Sequence, residues 1–569
     1  MANTGVTQPG ARIVYNMRFG IFYEHQLPRP WTEDAEERLL LDALDQIELA
    51  DRLGFDYVWE VEHHFLEEYS HSSAPEVFLA AASQRTRRIR LGHGIVQLPH
   101  QFNHPARVAE RIATLDLISG GRVDFGTGEA ASQAELGGFG VDRAEKKSQW
   151  EEALDAVTRM LVEEPFAGYE GRFLRMPPRN VLPKPKQKPH PPLWVACSRR
   201  DTILAAARKG IGALSFSFIE PEESREWVDD YYRILASDQC VPGGFAVNPN
   251  VAVALPMMCH TDEATAIERG IDGAHFFGYA LSHFYVFGQH RPSQTSIWDE
   301  FQNNRRDYGF AREIVTPNQA PLGMKLLQHG LGSLRGAIGT PDQIADLISR
   351  YERAGVDQVI FVMQAGRNRH EHICESLELF SKSVIPRFTG QIVQKDRAKL
   401  ERLGASIEQA LARRTPARTA PNDYVIRVQS EPFSVNPDPP RRDAIARILR
   451  SRSDSQLDWA LSLRPVTWVL LDGLRRKLNP AKSPSFQGDI QYEIQSNGQS
   501  QCWVLSVNNG SAHLRGGTSA RPKLVIRTNG ATLARIFAGD LNPGAATLQK
   551  RLDLEGDLAT LDHLARMLS

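Results

Sequence analysis

From residue 17 to about residue 392 the chain alternates short apolar runs with longer stretches whose apolar residues recur at helical spacing. That alternation predicts parallel strands with helices packed outside them. The runs that read as strands are 18–23, 57–61, 89–98, 122–126, 193–196, 213–218, 250–258 and 358–363. The fold class expected from eight strand and helix units is α/β, a (β/α)8 TIM barrel with a long insertion after strand 7. The insertion, about 262–335, carries His275-Phe276-Phe277 and His283-Phe284-Tyr285. It reads either as a lid over the strand ends or as an extra helical pair with aromatic core residues.

The pattern breaks after the barrel, which is expected to span 17–394. In 395–441, Leu400, Leu403, Ile407 and Leu411 share one helix face, and two proline- and arginine-rich stretches follow, 415–421 and 434–440. This segment predicts a helical and Pro/Arg-rich linker. A second module, 442–569, reads as a helix at 461–474, a strand at 490–494 and a hairpin turning at Asn508-Asn509-Gly510. A strand at 523–527, a helix at 532–537 and a last helix with Leu558, Leu561, Leu564 and Leu568 on one face complete an α+β domain. Residues 1–16 are polar and predict a disordered leader.

Composition narrows the classes. An apolar content of 41% suits a globular protein, and a net charge of −1 with a pI near 7.0 argues against nucleic acid and anionic membrane partners. The five cysteines are scattered, with no CxxC pair, which speaks against a disulfide framework and a thiolate metal site. A reducing cytoplasm is the expected compartment. No run of about 18 apolar residues occurs, so no integral membrane contact is expected.

The richest chemistry lies at strand ends, where parallel α/β proteins collect their ligands. Strand 57–61 runs into Glu62-His63-His64-Phe65. An imidazole there suits acid/base work near neutral pH, or is a hydrogen-bonded structural residue. The HExxH spacing is absent and no third ligand stands out, so no metal is expected. Gly92 and Gly94 either let a flat ligand lie against the third strand or relieve crowding in the barrel. After the fifth strand, Cys197-Ser198-Arg199-Arg200-Asp201-Thr202 leads into a helix. That combination is a phosphate site or a capped helix start with solvated arginines.

Taken together, residues 17–22, Glu62-His63-His64-Phe65, 91–99, His104-Pro105, 121–126, Gly138-Phe139-Gly140 and 192–198 resemble the bacterial luciferase-like flavin monooxygenases, over about 17–390. The resemblance implies a barrel that binds reduced FMN delivered by a separate NAD(P)H:flavin reductase. With O2 as co-substrate, such enzymes oxygenate an aldehyde, ketone, alkane or sulfonate. It implies His63 as the catalytic residue, Phe22 and Gly94 beside the flavin ring, a cis His93–Gly94 bond, and Ser198 at the phosphate. Glu62 joins the cofactor-binding set through the same motif. Gly128 and Glu129 stand where bacterial luciferase has a reactive cysteine and a phosphate-binding arginine, so light emission is not implied. Arg199 or Arg200 is the candidate to supply the missing positive charge, and Glu129 the candidate to hydrogen-bond a flavin edge or the substrate.

The tail, through 523–527, 533–539, 541–545 and 552–557, resembles the sterol carrier protein type 2 domains, which enclose an apolar tunnel for acyl chains or sterols. Trp468, Trp503 and Phe537 either line such a tunnel or pack a core. The expected function is a two-component, FMN-dependent monooxygenase acting on a lipophilic small molecule whose apolar part the C-terminal module binds, in a homodimer. The alternatives are a deazaflavin-dependent oxidoreductase on the same barrel and a non-catalytic lipid-binding protein.

Overall fold

Eight strands pair in parallel and close on themselves: β1 (Arg18–Tyr23), β2 (Tyr57–Glu60), β3 (Arg90–His93), β4 (Val123–Gly128), β5 (Leu193–Cys197), β6 (Gly212–Ser215), β7 (Val251–Cys259) and β8 (Gln358–Val362). Closure comes from β8 against β1, with Phe22 opposite Val362. Each strand overlaps an apolar run read from the sequence, because strands covered on both faces are mostly apolar. The end of the run 213–218 lies outside the described residues. The computed structural model describes residues 17–216, 220–308, 310, 335–390, 392–426, 448–541 and 543–568. These fall into two compact units divided after Tyr424. The leader 1–16 and most of the Pro/Arg-rich stretch lie outside the described residues.

The barrel helices are α1 (Ala35–Leu53), α2 (Pro75–Arg85), α3 (Pro105–Ile118), α4 (Gln133–Phe139), α5 (Lys146–Val162), α6 (Arg200–Arg208) and α7 (Pro221–Leu235). The insertion contributes α8 (Glu263–Ser282), a π-helical turn over His283–Phe287 and α9 (Ile297–Asn304), before α10 (Pro341–Arg353), α11 (His370–Ser383) and α12 (Ile392–Arg413). Gly54 ends α1 in the left-handed region at φ +92°, its N–H bonded to the Ala50 and Asp51 carbonyls. The chain then turns straight into β2. Pro105 opens α3, where its missing N–H has no partner to lose.

One apolar core fills the space between strands and helices, with Phe19, Phe361, Phe380 and Phe388 at its centre. A second runs up the barrel interior and continues into the insertion, joining Phe22, Trp59, Trp194 and Val362 to Phe276, Phe277, Tyr279 and Phe301. The described insertion aromatics therefore pack over the C-terminal end of the barrel interior. Of the two strand glycines, Gly92 relieves crowding, since a Cβ there would run into the Trp59 indole, whereas a Cβ on Gly94 would meet Phe22 at an ordinary 3.4 Å.

The second unit comprises α13 (Asp454–Leu461), α14 (Arg464–Lys477), β9 (Gly488–Ser496), β10 (Gln499–Asn508), β11 (Ser511–Gly516), β12 (Leu524–Asn529), α15 (Gly530–Phe537), α16 (Pro543–Leu548), β13 (Leu552–Gly556) and α17 (Ala559–Leu568). Its sheet runs β11-β10-β9-β12-β13, with β9 and β12 parallel and the other pairs antiparallel. The two hairpins turn at Asn497-Gly498 and Asn509-Gly510, all four residues at positive φ. Trp503 packs in the core of this unit and Phe537 against it, while Trp468 is 43% exposed.

Candidate active site

His63 leaves β2 at the carboxyl end of the barrel and is held between two carboxylates. Its Nδ1 lies 3.0 Å from Glu135 Oε1 and its Nε2 lies 3.6 Å from Glu24 Oε2. Glu24 follows β1 directly, and Tyr69 donates its hydroxyl to Glu24 Oε1 at 2.9 Å. Glu135, in the first turn of α4, also accepts from the His64 N–H at 3.1 Å and Gln97 Nε2 at 2.7 Å. Its other oxygen takes the Ser132 hydroxyl at 2.6 Å. A single buried carboxylate thus joins the exits of β2, β3 and β4.

The charges follow from this geometry. Burial alone would lower the His63 pKa, but Glu135 and Glu24 outweigh it and raise the imidazole to about 9. Burial pushes Glu24 up to about 7 despite the pull of His63 and Tyr69. Burial also acts upward on Glu135, but His63, Ser132 and Gln97 hold it below the usual carboxylate range. Near pH 7 the arrangement is an imidazolium locked to Glu135, facing a carboxyl group poised between its two forms. Because the folded-state pKa of His63 exceeds the ordinary 6.5, its ion pair adds stability that is full below about 6.5 and lost as pH rises through about 9.

His64 turns the other way. Its Nε2 is 3.2 Å from Glu62 Oε1 and its ring packs against Phe139 at 4.9 Å. Glu62 is buried and engaged by protein: it accepts from Asn103 Nδ2 at 2.7 Å and from the Gln97 N–H at 2.8 Å. It fixes the β3 exit beside Gly94. The rim is strained, with His25, Phe65 and Glu67 all in the left-handed region at φ +54°, +65° and +37°. Such non-glycine outliers persist where surrounding contacts over-determine them, and they cluster at functional sites.

Phe22 is buried at the end of β1, its ring 5.1 Å from Phe216 and in reach of Gly94. The His93–Gly94 bond is trans: all cis bonds among the described residues precede proline, so the cis bond implied by the sequence resemblance is absent. Glu129, at the end of β4, is answered by Lys146 at 3.3 Å, the first residue of α5. Ser198 and Arg199 are exposed at the start of α6, on the neighbouring strand exit, with Arg199 3.3 Å from Asp201. Sequence reasoning missed Glu24, Tyr69, Gln97, Glu135 and Lys146. The pattern Ser132-x-x-Glu135 gave a signal, but it reads as a helix cap, and Ser132 does cap α4 by accepting from the Glu135 N–H.

Residues 17–358 match the family model of the luciferase-like monooxygenases. The chain belongs to this family. Residues 470–569 match the SCP-2 sterol transfer family. Among luciferase-like monooxygenases, the chain is 28% identical over 392 residues to 4-hydroxyprotoasukamycin monooxygenase of Streptomyces nodosus subsp. asukaensis, covering 68% of this chain and 96% of that protein. It is 24% identical over 389 residues to the oxygenase component of the flavin-dependent trigonelline monooxygenase of Acinetobacter baylyi, covering 68% and 99%. The crystal structure of the monooxygenase RslO1 from Streptomyces bottropensis superposes with a TM-score of 0.51 at 26% identity, covering 66% of this chain and all of that one. No helix among the described residues of this luciferase-like monooxygenase is long and apolar enough to cross a membrane.

Proposed function

We propose that this chain is the oxygenase of a two-component system that takes reduced FMN from a separate NAD(P)H:flavin reductase, and O2, to place one oxygen atom in a lipophilic small molecule. The observation that carries the reading is His63, charged and held between Glu135 and Glu24 at the covered mouth of a closed barrel. The likeness to the Acinetobacter protein, the oxygenase component of a flavin-dependent monooxygenase, supports the flavin and the reductase. The match to the SCP-2 family supports a second unit that binds the apolar part of the substrate. A homodimer in the cytoplasm completes the proposal.

Bound reduced FMN supplies the electrons that activate O2. The chain's own residues bind it, exclude water and manage a proton. Phe22 and Gly94 offer an apolar edge to the ring, and Gln97 Oε1 is a buried acceptor with no hydrogen-bond partner among the described residues. Ser198, Arg199 and the N-terminus of α6 suit a phosphate, and Lys146 offsets the carboxylate of Glu129 on the adjacent strand exit. His63 holds a proton at Nε2, Glu135 orients the ring, and Glu24 exchanges that proton. Incubation with reduced FMN, O2 and a panel of aldehydes, ketones, terpenoids and fatty acyl compounds should give a product heavier by one oxygen. No such product across the panel, with all the flavin merely reoxidised, would defeat the reading.

Two further outcomes follow from the charges. Product formation should peak between limbs near pH 7 and 9, falling in acid as Glu24 protonates and in base as His63 loses its proton. Glu24→Gln should erase the acid limb and move the basic limb down, since one anion beside His63 is gone; a profile flat across both values would contradict the assignment. Lys146→Met should leave Glu129 uncompensated and weaken reduced-FMN binding about tenfold, or about 1.4 kcal/mol, in an anaerobic titration. Affinity unchanged in that variant would remove Lys146 from the phosphate sector.

A further inference from the structure

Five residues beyond His63, the loop that carries it meets the insertion through a buried carboxylate. Glu68 Oε1 accepts from the Ile297 N–H at 2.6 Å, and its Oε2 accepts from the Trp298 N–H at 3.1 Å and the Arg29 N–H at 2.8 Å. The first two donors open α9, so Glu68 caps that helix from outside it, where a helix N-terminus favours negative charge. The third belongs to the β1 exit, the segment that carries Glu24, and the Leu27 N–H reaches the Glu68 carbonyl at 3.2 Å.

Its neighbours make the same connection. Glu67 accepts from the Ser293 N–H at 2.7 Å and lies 3.1 Å from His290 Nε2 and 2.8 Å from the Arg29 guanidinium. On the other side, Tyr69 donates to Glu24, and its ring stands 5.7 Å from that of His63, 5.8 Å from Phe277 and 6.5 Å from Phe284. Three consecutive residues therefore grip α9, the β1 exit, and the aromatics of α8 and the π-helical turn. The wholly buried Glu68 side chain satisfies three backbone donors, and their loss would leave an expensive set of unpaired groups.

We infer that Glu68 is a positioning residue: it fixes residues 263–304 of the insertion to the His63 loop, so that Tyr69, Glu24 and His63 keep their places beneath Phe277 and Phe284. Its consequence for turnover rests on the proposed oxygenase reading. Where the cover stands off, water reaches the mouth, and reduced FMN passes two electrons and two protons to O2, giving oxidised FMN and H2O2 in place of product.

The test uses the full chain with Glu68→Gln and, at the more accessible partner, Glu67→Gln. Glutamine keeps the size of the side chain but sets an NH2 donor against a backbone donor. Hydrogen–deuterium exchange across 297–304 and 62–69 should quicken at least about tenfold in Glu68→Gln, and less in Glu67→Gln, while reduced-FMN affinity stays at the wild-type value. The share of consumed O2 recovered as H2O2 should rise several-fold, with kcat for product falling more than KM changes. Unchanged exchange in both variants overturns the inference, as does faster exchange with a wild-type peroxide share. If the wild-type chain gives no oxygenated product, the oxygenase reading fails, and the exchange data alone then decide whether Glu68 ties the insertion down. Should Glu68→Gln not fold, exchange in Glu67→Gln decides: quickening confined to 290–304 and 62–69 supports the tie, and none overturns it.

Discussion

His63→Ala should bind reduced FMN with near wild-type affinity and form oxygenated product about 10²–10⁴-fold more slowly, the usual worth of a positioned acid or base. The ring is 19% exposed, so removing it opens little of the apolar core. The loss falls on the proton at Nε2, which Glu24 exchanges at 3.6 Å, while Glu135 is occupied by Gln97 and Ser132. Removing His63 also leaves two carboxylates facing each other without their cation. Glu24 should then rise further above about 7, since His63 is among the groups that hold it down. His64→Ala should cost much less, because that ring is directed to Glu62 and Phe139. The measurement is product formed per unit time at saturating reduced FMN, with binding titrated separately under anaerobic conditions. Wild-type turnover in His63→Ala would end the assignment; lost flavin binding would recast His63 as a cofactor residue.

Gly126→Ala is expected to destabilise the barrel unit by about 3 kcal/mol, at the upper end for overpacking. A Cβ at that position would stand 1.9 Å from the His93 carbonyl oxygen, a backbone atom with no rotamer to escape into. Relief requires β3 and β4 to separate where their ladder is short: Leu91 opposite Val123 and Gly92 opposite Asp124 are the paired residues. Displacing His93 moves Gly94 and then Gln97, one of the donors to Glu135. Stability and product formation should therefore fall together. Gly94→Ala makes the contrast, because its Cβ would sit in ordinary contact at 3.4 Å from Phe22. It should leave stability almost unchanged and weaken reduced-FMN binding. Urea unfolding of both variants, followed by fluorescence, checks the pair. A Gly126→Ala unfolding free energy within about 0.5 kcal/mol of wild type would show that the strands can part freely.

The barrel was legible in the sequence because its strands are buried on both faces and so stand out as short, mostly apolar runs between helical patterns. The second sheet was less so. Its strand β11 reads Ser-Ala-His-Leu-Arg-Gly and β13 reads Leu-Asp-Leu-Glu-Gly, edge strands with one wet face and little apolar content. At the site, His63 was visible because two imidazoles at a strand end are unusual. Glu135 was hidden by serving two masters: the spacing that marks a helix cap also aims its carboxylate across the mouth. Glu24 carries no pattern at all, and its partner Tyr69 comes from another loop. Lys146 answers Glu129 only once α5 folds back over the end of β4. Pairings made between loops, with no fixed spacing, are written in three dimensions alone.

The closed barrel and the open sheet of the second unit face different hazards. Among the described residues, closure pairs each of the eight barrel strands on both sides, and the only one-sided members of that sheet are the short strands Val96–Gln97 and Ala337–Gly339. The five-stranded sheet ends at β11 and β13, each with one side unpaired by a further strand among the described residues. Those borders are charged: Arg515 lies on β11, and Asp553 and Glu555 on β13, both drawn to Arg527 at 3.3 and 2.6 Å. A strand arriving from a second molecule would have to strip water from these groups, so strand-to-strand aggregation is opposed by solvation.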